Sequence, residues 1–223
     1  MKLTMRYVPL CVFLILTTTS VLSAAEPIQL FDGKSLEGWG CYLVDPDVKC
    51  SDVWSVKDGL LYCKGEPMGY LHTKKKYENF KLVVEWRWPE GVEPTNSGVL
   101  MRIIGEPQAL PKCLEAQLMH KNAGDFYGFH EFEINGAEDR LLKRESPMAG
   151  KLTGVKKMTD AEKPAGEWNR YEIVLDGGKL TAKINGKLVN EAFDCQRVPG
   201  FIGLQSEGGP IEFRKVELIP LDK

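Results

Sequence analysis

The residues best suited to chemistry lie in the stretch Lys112-Cys-Leu-Glu-Ala-Gln-Leu-Met-His120. Read as an extended strand, it alternates. Leu114, Ala116 and Leu118 fall on one side, and Cys113, Glu115, Gln117 and Met119 on the other, because strand side chains repeat with period two. The first side has the composition of a core. The second aims a carboxylate and an amide the same way, two residues apart. A carboxylate can move a proton or accept from sugar hydroxyls, whereas an amide can only bind. On an exposed strand face the same two residues would be ordinary surface, so their neighbours decide what they can do.

Two other stretches offer such neighbours. Phe80 to Trp88 places Phe80, Leu82, Val84, Trp86 and Trp88 on one side and Val83, Glu85 and Arg87 on the other. Asn96-Ser-Gly-Val-Leu-Met-Arg-Ile103 places Gly98, Leu100 and Arg102 on one face. If these strands lie beside 112–120 with the faces aligned, Glu85, Arg87, Arg102, Glu115 and Gln117 form one polar patch. The competing reading is a salt-bridged outer face. Carboxylates, amides, an arginine and aromatics on strands suit a carbohydrate, whose hydroxyls pair with polar groups and whose C–H faces stack on rings. His120, at the strand's end, is a candidate acid, base or metal ligand, set against a solvated loop histidine. Glu131 and Glu133 share a face in a less regular segment and are set against an exposed strand edge.

Other chemistries find little support. The chain has no Gly-rich phosphate loop, no Gly-x-Ser-x-Gly elbow and no His-Glu-x-x-His. Only His72, His120 and His130 are present, which leaves a Ser–His–Asp triad poorly supported. Dinucleotide and P-loop nucleotide cofactors are set aside.

The elements that must position these residues read as short strands between turns. Asp58-Gly59, Asp176-Gly177-Gly178 and Asn185-Gly186 each separate two extended runs, the strongest short-range hairpin signal. No amphipathic helix of three turns is evident. Residues 121–165 are less regular, with Phe126 to Ile134 as one extended piece. Many short strands with regular turns predict an all-β sandwich or barrel.

The N-terminus reads as an address. Lys2 and Arg6 precede an apolar run from Val8 to Leu16, and Ser23-Ala24-Ala25 supplies small residues for cleavage. This predicts a secretory signal over 1–25, a single domain over 26–223, and a secreted or periplasmic protein. The run is short for a membrane span, so no stable membrane anchor is expected. Without Lys2 and Arg6, 27 basic residues face 31 acidic ones, which gives nucleic acid no basic footprint. Cys41, Cys50, Cys63, Cys113 and Cys195 remain, and export permits disulfides. Cys41 and Cys50 are close enough to staple one loop. Their spacings fit no zinc pattern.

The motifs, taken in order, resemble the 3-keto-disaccharide hydrolase domain family, formerly a domain of unknown function. They run Leu30-Phe-Asp-Gly-Lys-Ser-Leu-Glu-Gly-Trp39, Trp54-Ser-Val-Lys-Asp-Gly-Leu60, Phe80-Lys-Leu-Val-Val-Glu-Trp-Arg87 and Asn96-Ser-Gly-Val-Leu-Met-Arg102. Glu115-Ala-Gln117, Pro164-Ala-Gly-Glu-Trp-Asn169, Asn185-Gly186, Ile202-Gly-Leu-Gln205 and Phe213-Arg-Lys-Val216 follow. Residues 121–165 match the family's pattern only loosely, and the chain departs from it in two further places. Leu118-Met119-His120 stands where an aliphatic pair and an Asp are usual, and Glu207 stands near a position where many members carry His.

The resemblance implies a concanavalin-like β-sandwich, or jelly roll, of two curved antiparallel sheets. It also implies an exported enzyme acting on glycosides oxidised at C3. A ketone there acidifies the C2–H, so a base can take that proton and the C1 substituent leaves by elimination, followed by hydration. Glu115 is the candidate base, Glu85 a neighbouring carboxylate that would raise its pKa, and His120 the candidate acid. Arg102 and Gln117 are candidates to hold the enolate or the sugar, with Arg87, Asn96 and Gln205 as further sugar ligands. No cofactor is required outright, and a divalent metal in the arginine's place stays open. The alternative is a carbohydrate-binding, lectin-like module without catalysis; a structural envelope protein is a third reading, and it predicts no cleft. A deep cleft with a second titratable group beside Glu115 would separate the enzyme from the module.

Overall fold

The computed structural model describes residues 25–221, so nearly all of the expected signal segment lies outside the described residues. Sixteen strands account for most of the chain. In order they are β1 (Ile28–Gln29), β2 (Trp39–Leu43), β3 (Trp54–Lys57), β4 (Leu60–Cys63), β5 (Gly69–Thr73), β6 (Phe80–Arg87), β7 (Gly98–Ile104) and β8 (Lys112–Gln117). Then come β9 (Phe126–Gly128), β10 (Leu141–Ser146), β11 (Gly150–Val155), β12 (Asn169–Asp176), β13 (Lys179–Ile184), β14 (Lys187–Ala192), β15 (Phe201–Ser206) and β16 (Ile211–Pro220). Helix is confined, among the described residues, to one turn at Cys50–Val53 and a 3-10 turn at Glu138–Arg140.

The strands form two antiparallel sheets. The first runs β14-β13-β12-β6-β16-β4-β3, with β1 added against β16. The second runs β10-β11-β9-β8-β7-β15-β5-β2. The expected turns form where positive φ is needed: Asp58 and Gly59 at 53° and 78°, and Asn185 and Gly186 at 52° and 82°. Two consecutive left-handed residues match the right-handed twist of the flanking strands.

The core follows from alternation. Phe80, Leu82, Val84, Trp86 and Trp88 are all buried, as are Tyr171, Ile173 and Leu175 on β12 beside them. From the second sheet Val99, Met101, Leu114, Ala116, Ile202 and Leu204 join the same cluster. Buried apolar area of this kind stabilises by about 25 cal/mol per Å². The other face of the second sheet has its own smaller cluster, which includes Tyr70, Leu100, Cys113, Tyr127, Phe129 and Leu152. Both faces of β8 are therefore covered, and its polar face is not surface.

Two elements differ from the sequence expectation. Residues 121–165 hold the β10–β11 hairpin, with Leu141 to Ser146 paired to Val155 to Gly150. Its outward residues are charged, so the alternation is faint in the sequence. Phe126 to Ile134 is extended only as far as Gly128; His130 and Glu131 then take φ of 54° and 60° and turn the chain. Cys41 and Cys50 are disulfide-bonded across the β2 loop, while Cys63, Cys113 and Cys195 are buried and free.

Candidate active site

Register brings the polar residues of four strands into two rows. Glu115 lies between Tyr127 on β9 and Leu100 on β7. Gln117 pairs with Gly98, and Leu204 on β15 pairs with Val99, which sets Gln205 beside Gly98 on the far side. Alternation puts Asn96 and Glu207, two residues on from Gly98 and Gln205, on the same face, and the Asn96–Glu207 bridge joins them. A cavity of about 210 Å³ opens over this face, lined by Glu115, Gln117, Asn96, Glu207, Tyr127 and the hairpin residues Arg144 and Met148 among others.

Gly98 lies directly against the Glu115 carboxylate. A Cβ there would stand 2.2 Å from Glu115 Oε1 and 3.0 Å from Gln205 Oε1. The glycine is not in the left-handed region, so it is required for space rather than for its backbone. Its absent side chain lets the Glu115 carboxylate lie across the strand.

The site is buried and rich in carboxyl groups. Glu115 is 2% exposed and Gln117 8%. Burial pushes the Glu115 carboxyl well above the ordinary range, and the charges of Glu207 and Asp125 push it the same way. Burial also raises Glu207, against a hydrogen bond from Asn96 that lowers it. Gln117 is held by its oxygen, which accepts from Leu118 N at 2.9 Å and Met119 N at 2.8 Å; its Nε2 donates to Glu115 Oε2 over 3.4 Å. Both amide atoms of fully buried Gln205, and Oδ1 of Asn96, have no partner among the described residues. Unpaired buried polar atoms cost stability, and a ligand's polar groups would complete these.

A third carboxylate stands beside the cavity. Asp125 is buried, with Lys156 Nζ at 2.7 Å and Lys157 N at 2.8 Å. Lys156 also donates to the Tyr127 hydroxyl at 3.2 Å.

The structure brings Glu115, Gln117, Asn96 and Gln205 together and separates the other expected residues from them. Glu85 and Arg87 lie on β6, in the opposite sheet, and point away from the core. Glu85 is bound by Arg170 at 2.8 Å and Arg214 at 2.6 Å. Burial is the largest single influence and raises its carboxyl, but hydrogen bonds and charge from these two arginines together outweigh it and hold the group below its ordinary value. Arg87 pairs with Glu212 at 2.6 Å and covers the Trp168 ring at 4.6 Å. The salt-bridged outer face is thus the correct reading for both.

Arg102 is a structural tie. A bulge in β7 between Met101 and Ile104, with Arg102 at φ 52°, turns its side chain off the cavity face. The guanidinium is fully buried and donates to the carbonyls of Glu78, Gly177 and Gln196 and to Asn79 Oδ1. His120 follows the end of β8 and meets Glu162 at 3.2 Å, sharing that carboxylate with Trp88 Nε1 at 2.9 Å. It does not line the cavity.

Sequence reasoning missed Tyr127, Asp125, Lys156 and the role of Gly98, and it noted Glu207 only as a departure. A signal existed for three of them: a glycine within a strand marks close approach, and Asp125-Phe-Tyr127 alternates like Glu115-Ala-Gln117. Among the described residues no three His, Cys, Asp or Glu gather so as to hold a metal ion. A larger, open groove of about 680 Å³ lies along the hairpin beside Lys143, Glu145, Lys151 and Glu131. None of the unpartnered buried polar atoms lines it, and the Glu131–Lys151 ion pair is mostly exposed, so the smaller cavity is the candidate site.

Residues 26–219 match the family described as 3-keto-alpha-glucoside-1,2-lyase-like domain. The chain belongs to that family. Among curated relatives of this 3-keto-alpha-glucoside-1,2-lyase-like chain is the 3-keto-disaccharide hydrolase of Bacteroides thetaiotaomicron. It is 23% identical over 243 residues, covering 87% of this chain and 78% of that one. A solved structure from Parabacteroides distasonis superposes with a TM-score of 0.63 at 21% identity, over 88% of this chain and 94% of that one. The Bacillus licheniformis beta-glucanase superposes with a TM-score of 0.54 at 11% identity, over 90% and 100%. At these identities the two structures speak for the fold alone: a concanavalin-like, jelly-roll β-sandwich.

Proposed function

We propose that this chain is an exported enzyme that cleaves small glycosides or disaccharides carrying a ketone at C3. The observation that carries the reading is the Glu115 carboxylate, buried against Gly98 and lining a cavity, with a second, half-buried carboxylate, Glu207, lining the same cavity. A binding platform would display rings to solvent. Here a titratable pair is desolvated, which is what proton transfer requires and simple binding does not.

Glu115, deprotonated, takes the proton from C2 of the keto sugar. The electron pair moves toward the C3 carbonyl to give an enolate, then returns to expel the C1 oxygen. Glu207, whose carboxyl burial pushes upward, gives its proton in the acid form to that oxygen. Water then adds across the C1–C2 double bond: its hydroxyl joins C1 while C2 regains a proton from Glu115, and Glu207 recovers its own from the water. Asn96, Gln117 and Gln205 hold sugar hydroxyls, with Gln205 supplying both a donor and an acceptor not otherwise engaged. The cavity volume of about 210 Å³ suits one sugar ring, so the group that leaves would lie outside it.

The test is turnover of a 3-keto-glucoside against its non-oxidised parent. The expected result is cleavage of the first alone, abolished in Glu115→Gln. Equal turnover of both would overturn the elimination route in favour of hydrolysis by two carboxylates. Reversible binding of a sugar without cleavage would make the chain a lectin-like module.

A further inference from the structure

Elimination through C2 creates a negative charge on the C3 oxygen, and a group must hold it. The arginine expected for that task, Arg102, is committed to four acceptors elsewhere. We propose that Tyr127, backed by Lys156, is the oxyanion-holding group: its hydroxyl donates to the enolate oxygen that forms when Glu115 takes the C2 proton. The inference rests on the elimination reading given above and adds to it a catalytic residue that the sequence motifs do not mark.

Four observations place Tyr127 there. It is the cross-strand partner of Glu115 and lines the same cavity. Cross-strand partners stand about 5 Å apart at Cβ, the separation at which one group can work at C2 and the other on the adjacent carbonyl. Its ring is fixed: it lies over Gly154, where a Cβ would come within 2.8 Å, and it stacks on Phe129 with centroids 6.2 Å apart and planes 16° from parallel. A rigid donor costs little reorganisation as charge develops.

The hydroxyl is also free to turn. It donates to Asp125 Oδ2 over 3.3 Å, which is long for an O–H···O bond. Asp125 does not depend on that proton, since Lys156 at 2.7 Å and Lys157 N at 2.8 Å already satisfy both its oxygens. Meanwhile the Lys156 ammonium donates to the phenol oxygen at 3.2 Å. A cation donating to that oxygen draws electron density from it and makes its O–H a stronger donor, a cooperative arrangement that a low dielectric strengthens. The acidic lining of the cavity would repel an enolate, and Tyr127 with Lys156 is the element that offsets this.

The probe is a 3-keto-1,5-anhydroglucitol, a keto sugar with no C1 leaving group, incubated with the full-length protein in deuterated buffer. Deuterium entering C2, read by NMR or mass spectrometry, reports proton abstraction and enolate lifetime without the leaving-group step. The wild-type protein should exchange C2–H, Glu115→Gln should not, and Tyr127→Phe should slow exchange by about 10²–10³-fold. Tyr127→Phe should keep the melting temperature within a few degrees, because the ring and its packing remain. Lys156→Met should slow exchange by a smaller factor, and Glu207→Gln should stop cleavage of a true glycoside. Wild-type exchange in Tyr127→Phe would overturn this inference alone. A wild-type protein that exchanges nothing would overturn the elimination reading and this inference with it.

Discussion

Gly98→Ala isolates the geometry on which the site depends. The added Cβ would sit 2.2 Å from Glu115 Oε1 and 3.0 Å from Glu115 Cδ, while ordinary contact begins near 3.4 Å. The carboxylate oxygen must therefore retreat by about 1.2 Å, and a displacement of that order at the reacting group costs roughly 10²-fold in rate. That is about 2.7 kcal/mol of transition-state stabilisation. Stability responds differently. Alanine within a strand gains about 0.5–1 kcal/mol over glycine, against about 1–3 kcal/mol for overpacking. The net loss is no more than about 2.5 kcal/mol, a fall of several degrees in Tm for a chain of this size. Turnover of a 3-keto-glucoside and a thermal melt on the same preparation measure both quantities. The double variant with Glu115→Asp withdraws the carboxylate by about one methylene, which should recover Tm but not activity. Wild-type kcat in Gly98→Ala would refute the placement of the reacting carboxylate across Gly98.

Further outcomes are expected. Glu115 has its carboxyl pushed up by burial first and by Glu207 and Asp125 next, and a base works deprotonated, so activity should climb with pH through a window above the ordinary carboxylate range. Stability should run the other way. A carboxyl whose pKa is higher folded than unfolded keeps its proton longer when folded, so the folded state loses ground as pH rises from the unfolded value to the folded one. Glu115→Gln removes that slope, and its Tm advantage over wild type should widen as pH rises above the ordinary carboxylate range; parallel melting curves would contradict the shift. Glu85→Ala should leave kcat/KM unchanged while removing two partly exposed ion pairs worth about 0.2–1 kcal/mol each, as denaturant titration would record. Arg102→Ala should cost about 3–5 kcal/mol, because it strands three carbonyls and an amide oxygen in a buried space; a loss below about 1 kcal/mol would show the tie to be idle.

The sequence by itself determined the strand faces. Leu114, Ala116 and Leu118 are core and Glu115 and Gln117 face together because period two is a local property of extended backbone. The Asp58-Gly59 and Asn185-Gly186 turns were legible for the same reason: only certain residues accept their backbone. The ordered motifs carried the fold class. Tertiary structure alone decided which sheet each strand joined. Glu85 and Arg87 alternate as cleanly as Glu115 and Gln117, but β6 pairs with β12 and β16, so their face is the outside of the opposite sheet. Arg102 was misplaced because a bulge inverts local alternation, and a bulge depends on the partner strands as much as on the residue. The hairpin β10–β11 was hidden because its outward residues are charged on a partly solvated edge, where periodicity in hydrophobicity fades. Tyr127, Asp125 and Lys156 meet only because β9 lies between β8 and β11. Which strand lies beside which is settled by long-range pairing, and that pairing turned a carboxylate on one strand into a site.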